Sequence, residues 1–425
     1  MDHSATAQPP PAHDPYAAFR APLFVRYLLG SSLMQIGMGA QGLAIGWDIY
    51  QRTGQPLALG LVGGVQAIPM MLLSLPAGYL ADRFDRKRII AICIAGVALC
   101  SLGLAWLSYS NGPIFLMYLL LLLQAAAGTM QRPASSAIFP SLVPLEIFEN
   151  AMKWWISLNQ VTAVAGPALG AAIIAWSIPA AYAANAAFTL VFAGLFLSLR
   201  LRPSPASAGG MTLANVLVGA RFVWSRKILL ATISLDLFAV LLGGAVYLLP
   251  VYAKDILHVG AQGLGWLRAA PAVGAFLMAI FMAHLPPMRR AGRAMLIAVL
   301  GFGLATVVFG LSRNFWLSWA MLFLTGALDN ISVVVRHTLV QVLTPDHMRG
   351  RVQAVNSIFI GSSNEIGGLE SGVVAQAFSP KISVVSGGIG TLIVVALWAL
   401  AFPNLRRFGA LYAESDEDAA VPAEV

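Results

Sequence analysis

Charge is scarce in this chain. Only 10% of its 425 residues are Asp, Glu, Lys or Arg, while 58% are hydrophobic, and an ordinary soluble domain carries roughly a quarter charged residues. A water-facing surface cannot be built from that composition. Cysteine is nearly absent too: there are two, Cys93 and Cys100, about two turns apart on one helical face. They read as small packing residues, which leaves out a disulfide framework and a thiolate metal site. The six His residues, at 3, 13, 258, 284, 337 and 347, are scattered. HExxH, GxSxG and a phosphate-binding Gly-Lys element are all missing, which speaks against a membrane-embedded enzyme and leaves an ion gradient rather than nucleotide hydrolysis as the energy source. No repeated selectivity filter suggests a channel, and no resident cofactor or metal is called for.

What the chain has instead is apolar length. Stretches of about 20 residues recur, each long enough to cross roughly 30 Å of hydrocarbon as a helix. About twelve are expected, at 27–50, 58–81, 88–109, 113–138, 153–177, 179–201, 228–252, 262–285, 293–311, 315–338, 351–377 and 382–402, which makes the fold an all-α polytopic membrane protein. The net charge of +8 is not a nucleic-acid signal, because the basic residues cluster at alternate connections, as the positive-inside rule requires. With a cytosolic amino terminus, the inner connections hold Arg83, Arg86, Lys87, Arg88, Arg132, Arg226, Lys227, Arg290, Arg336 and Arg349, and an even span count returns both tails to the cytosol.

A break at Arg202–Gly210 (RPSPASAGG) divides six spans from six. The organisation read from this is a disordered cytosolic tail (1–22), a first six-helix half (23–202), a cytosolic linker with an amphipathic helix on the membrane surface (203–227), a second half (228–403) and an acidic cytosolic tail (404–425). A shift of about 200 residues brings weak self-similarity into view: Leu142–Pro144 meets Leu343–Pro345, and Gly166 meets Gly367. Ala283–Arg293 meets Gly78–Arg88 but lacks its Asp.

Gly78–Arg88 reads GYLADRFDRKR, a charged turn between two apolar spans. Gly78 permits close helix approach, and Asp82 is placed to cap a helix end and to pair with a basic residue across the interface between the halves. Ala165–Gly170 reads AGPALG, in which Gly166 and Gly170 form a small-xxx-small face and Pro167 removes a backbone donor. The first element closely resembles the G-x-L-a-D-r-x-G-r-k loop of the major facilitator superfamily, with Asp85 where that family usually has Gly. The second is similar to the G-P-x-x-G-G element of its exporters. Gln131–Ala151 and Pro345–Phe359 resemble the branch of enterobactin-type siderophore exporters and drug efflux proteins. The resemblance implies the major facilitator fold, two pseudo-symmetric six-helix bundles, with Gly78, Asp82, Arg83 and Arg86 as a conformational latch and Gly166, Pro167 and Gly170 as the exporter packing motif. It also implies secondary transport, driven by the proton gradient, of a small organic compound by a lipid-embedded monomer of the bacterial inner membrane. Gln124 stands where drug antiporters commonly carry an Arg four residues before a Gly, which leaves proton coupling through that position unsupported, and a nutrient-uptake symporter or facilitator on the same fold stays open.

A charge at mid-span costs roughly 3 kcal/mol on insertion scales, so the few present are candidates for coupling or substrate contact: Asp236, Arg268, Asp329 with Asn330, Glu365 and Glu370. Glu365 and Glu370 are separated by about 140° around a helix and cannot both face one cavity. Gln35 and Gln124 complete the polar candidates.

Overall fold

In the computed structural model the described residues are 14–200 and 213–407, without 287 and 289, and all their regular structure is helical. The first half comprises α1 (Pro22–Thr53), α2 (Pro56–Arg83), α3 (Arg86–Tyr109), α4 (Ile114–Ile138), α5 (Phe148–Trp176) and α6 (Ile178–Leu197). After α7 (Leu213–Ser225), the second half begins with α8 (Lys227–Leu242), which breaks into a 3-10 turn (Gly244–Leu248), α9 (Leu249–Val251) and a π turn (Tyr252–Ile256). It continues through α10 (Gly260–Ala283), α11 (Ala291–Leu311), α12 (Phe315–Leu343), α13 (Asp346–Ala377), α14 (Pro380–Ala401) and the short α15 (Pro403–Arg407).

Ten helical segments are long and apolar enough to cross a membrane. Two long helices of 32 residues, α1 and α13, are not among them. They carry Gln35 and Gln41, and Asn356, Asn364, Glu365 and Glu370, polar side chains that lower their mean hydropathy.

The packing repeats between the halves. Helix α1 lies against α5 and α6, α3 against α4 and α6, and α2 against α4; correspondingly α8 lies against α13 and α14, α11 against α12 and α14, and α10 against α12. Gly54 ends α1 with φ 62° and Gly260 opens α10 with φ 64°, a left-handed backbone that glycine adopts without steric cost. Gly166 and Gly367 are equivalent in contact as well as in sequence, since Gly166 abuts Gly39 of α1 and Gly367 abuts Leu241 of α8.

Lipid gives helices no hydrophobic reason to associate, so small residues that let backbones touch do that work. At the end of the bundle carrying Gly54, α2 crosses α13: a Cβ on Gly60 would stand 2.8 Å from the Gly372 Cα. There too α5 crosses α10, where a Cβ on Gly265 would meet the Ala171 Cβ at 2.2 Å. Tyr50 donates to Asp255 across the same seam, and the Leu57 amide donates to Gln376 Oε1 at 3.4 Å. One apolar core containing Ile49, Leu59, Leu104, Leu248, Leu264 and Phe309 spans both halves here. Toward the other end the cores separate, one built only from the first half and two only from the second half with α7. The core shared by the halves thus lies at the Gly54 end, and toward the end carrying Gly78–Arg88 each buried cluster belongs to one half.

Several expectations are revised. Residues 14–21 of the expected tail form a 3-10 turn (Ala17–Arg20) docked on α5, where Asn150 and Trp154 donate to the Pro15 carbonyl, each at 2.9 Å; residues 1–13 and 408–425 lie outside the described residues. Helix α7, read as a membrane-surface helix, packs on α13 and α8, with Val223 buried and Gly219 against the Arg351 carbonyl. Arg336, assigned to an inner connection, is 2% exposed within α12 and pairs with Asp236 of α8.

Two tests follow from this packing. Gly60→Leu forces α2 from α13, and with overpacking costing about 1–3 kcal/mol it should cut disulfide formation between Leu57→Cys and Gln376→Cys about tenfold, in a background lacking Cys93 and Cys100. Arg336→Ala leaves Asp236 buried without its partner and should destabilise the folded protein by about 3–5 kcal/mol, read as a lowered melting temperature in detergent, whereas Asp236→Asn combined with Arg336→Met should recover most of the loss.

Candidate functional site

A cavity of about 290 Å³ lies between the halves. Helices α1, α2 and α4 form one wall, and the broken end of α8 with α10 and α13 forms the other. Met38, Leu43, Val62, Met70, Leu121 and Leu264 make its apolar surface, and Gln41, Gln66, Gln124, Arg132, Tyr247, Arg268 and Glu365 its polar one. Such a mixture suits an organic molecule held mainly by apolar contact and oriented by a few polar groups.

The charged centre of the cavity comes from three elements. The break after Leu242 turns Tyr247 inward, so that its hydroxyl donates to the Glu365 carboxylate on α13. Gly63 of α2 fits under this pair: a Cβ there would stand 2.6 Å from the Glu365 carbonyl oxygen and 3.3 Å from the Tyr247 ring. From α10, Arg268 donates through Nη1 to the Val246 carbonyl at 3.3 Å and lines the same cavity. Arg268 also borders a second chamber with Gln35, Met38, Gly42, Thr162 and Pro167. That chamber opens beside the AGPALG element.

The remaining candidates separate by surroundings. Gln124 accepts from Gln41 Nε2 at 2.7 Å, and Gln41 accepts from Asn185 at 2.7 Å, so the amide at the family's usual Arg position ends a buried chain that continues to Ser101. Gln35 donates to Asn159, tying α1 to α5. Glu370 turns from the cavity and accepts from Ser371 Oγ at 3.4 Å. Asp236 is held by Arg336 inside the second half. Asp329 lines a separate pocket, and the Asn330 side-chain oxygen is buried without a hydrogen-bond partner.

The small-residue element serves two contacts at once. Gly166 and Gly170 face α1, where a Cβ on Gly170 would stand 2.7 Å from the Ala40 Cα, while the Pro167 carbonyl and Ala171 face Gly265 of α10 in the other half. Gly78 is buried. Asp82 pairs with Arg86 at 3.8 Å, and Arg86 donates to the Ala81 carbonyl at 3.2 Å and the Ala137 carbonyl at 3.5 Å. Arg83 donates to the Tyr79 hydroxyl at 2.5 Å. The partners found for these charges among the described residues all belong to the first half, so Asp82 is not paired across the interface here. Asp85, the departure from the family pattern, performs the capping expected of Asp82: it accepts from the Lys87 amide at 2.9 Å and satisfies a free donor at the start of α3.

One cluster carries no sequence signal. Asp48, 3% exposed, is bound by Arg52 Nε at 2.7 Å, Ser108 Oγ at 2.8 Å and the Tyr182 hydroxyl at 3.2 Å. The i,i+4 spacing of Asp48 and Arg52 at a span's end is all that hints at it. Fully satisfied and away from the cavity, it is a structural tie at the Gly54 end.

Comparison with known proteins agrees with this architecture. The profile described as Major Facilitator Superfamily matches residues 27–368. The chain is 28% identical over 403 residues to the enterobactin exporter EntS of Shigella boydii serotype 18, covering 92% of this chain and 94% of that protein, and equally to EntS of Escherichia coli. Among solved structures, a bacterial homolog of the human lysosomal transporter Spinster, inward-facing and occupied, superposes with a TM-score of 0.72 at 15% identity, covering 95% of this chain and 100% of that one. The nucleoside transporter NupG gives 0.68 at 14% identity, covering 91% and 99%. These relatives are transporters and not enzymes, and with two matching six-helix halves around a central cavity this multi-span membrane protein belongs to the major facilitator superfamily.

Proposed function

We propose that this chain exports an amphipathic organic compound, of siderophore or drug type, across the bacterial inner membrane in exchange for protons. The observation that carries the reading is similarity to enterobactin exporters along 92% of the chain. The mixed lining of the central cavity agrees with such a cargo.

Antiport requires that proton and cargo exclude each other at one group. Glu365 is the acid in the central cavity, engaged by Tyr247 with Arg268 on the same wall. As a carboxylate it accepts hydrogen bonds from a cargo that presents donors; once protonated it loses acceptor capacity, and the cargo is released. Arg268 keeps the ionised form compensated in a low-dielectric setting, which is why both groups sit on one wall.

With both tails cytosolic, the end carrying Gly78–Arg88 faces the cytosol and admits cargo, and opening the Gly54 end requires the Gly60–Gly372 and Ala171–Gly265 crossings to separate. The Asp82–Arg86 pair then acts as the latch by exchanging its partner within the first half for one on the second. The working unit is a single chain in lipid.

In inside-out vesicles with an imposed pH gradient, Glu365→Gln should reduce gradient-driven flux at least about tenfold, while leaving gradient-independent cargo exchange measurable. Asp82→Asn should slow turnover with little change in the cargo concentration giving half-maximal flux. Accumulation of cargo by intact overexpressing cells, rather than depletion, would overturn export in favour of uptake.

A further inference from the structure

Behind Tyr247, inside the second half, lies a separate pocket of about 180 Å³. Tyr247 forms part of its wall as well as part of the central cavity's wall. Four side chains give it its chemistry: Asp329 and Thr325 of α12, Thr306 of α11 and Asn364 of α13.

Three of them already commit a donor to backbone. Thr306 Oγ1 donates to the Phe302 carbonyl at 2.9 Å, Thr325 Oγ1 to the Leu322 carbonyl at 2.6 Å, and Asn364 Nδ2 to the Ile360 carbonyl at 2.9 Å. The two threonines have only oxygen lone pairs left, and Asn364 has its amide oxygen and one further N–H. Asp329 is half-buried, lines the pocket, and makes neither a hydrogen bond nor an ion pair with the described residues. The pocket therefore gathers one carboxylate, two hydroxyl oxygens and one amide oxygen as acceptors, with the second N–H of Asn364 as the remaining donor.

Oxygen ligands with a single carboxylate suit a hard cation of one positive charge. Calcium takes six to eight oxygens, commonly with several carboxylates, and magnesium retains waters and seeks phosphate or further carboxylates. A proton would need one acceptor and gives no reason for the other three. The pocket also abuts the break after α8, at Gly243 and Gly244, and unwound helix segments near mid-membrane are where transporters build ion sites.

We propose that the pocket behind Tyr247 binds sodium through Asp329, Thr325, Thr306 and Asn364, as an ion site distinct from the cargo cavity. Occupancy compensates the Asp329 charge and fixes α11, α12 and α13 around the Tyr247 wall. Sodium thus reaches the cargo cavity through the residue that contacts Glu365.

Purified protein without cargo should show a saturable rise in melting temperature of about 3 °C on titration with sodium chloride, beyond that given by equal concentrations of potassium or choline chloride. Radiolabelled sodium should bind with a stoichiometry near one. Asp329→Asn should abolish both signals, Thr325→Val should weaken binding about tenfold, and Glu365→Gln should leave both in place. Equal stabilisation by choline or potassium, or sodium binding that survives Asp329→Asn, would overturn the site. Should Asp329→Asn not fold, an unweakened Thr325→Val overturns it equally. No cargo enters the assay, so its failure leaves the export reading untouched.

Discussion

Close approach of helices through their smallest residues at two crossings is the interaction on which the rest of this molecule rests. In lipid a helix gains nothing by hiding leucine from leucine, so the two halves hold together where side chains are smallest: Gly60 on Gly372, and Ala171 on Gly265. These contacts need no bulky interdigitation, but opening this end also divides the apolar core that the halves share there. Among the described residues, only at this end do the halves share an apolar cluster. The rest of each half's buried surface stays within that half, and the cavity is the space left where the shared cluster stops.

The fold was legible because hydropathy at the scale of a bilayer is a coarse, robust signal. Apolar length gave the helices, the RPSPASAGG break gave the halves, and the alignment of Gly166 with Gly367 corresponds to a real equivalence, each lying on the first helix of its own half. Where the reading of spans strayed, polarity was the reason. Helices α1 and α13 carry amides and acids that lower their mean hydropathy below that of the ten apolar segments, and two of these residues, Gln41 and Glu365, line the cavity. A departure from apolarity in a long helix was therefore informative about function, not an error in the helix.

The site was less legible, because its geometry depends on pairings that span the chain. Angular arithmetic put Glu365 and Glu370 on different faces but could not say which met the cavity. The answer depended on Tyr247, which is turned inward by a helix break that apolar sequence conceals. Arg336 looked like a topological charge, since nothing local marks its partner about 100 residues earlier in the chain. Asp85 illustrates the opposite case. Its mismatch with the family pattern looked like a weakness in the motif, yet it caps α3, leaving Asp82 available for Arg86.

The two halves repeat each other in packing but not in the continuity of their first helices. In the first, Lys87 grips the carbonyls of Leu197 and Leu199 at 3.0 and 2.6 Å, and at the opposite end Arg52 binds those of Leu107, Ser108 and Gly112 at 3.2, 2.9 and 3.2 Å. Helices α1, α3 and α6 are thereby pinned at the membrane's two faces. Their counterpart α8 is interrupted by 3-10 and π turns within a few residues of Glu365's partner. Only the second half thus interrupts its first helix, and it does so at the cavity wall, so in that half the cargo would meet a segment whose backbone is not committed to regular α-helical hydrogen bonds.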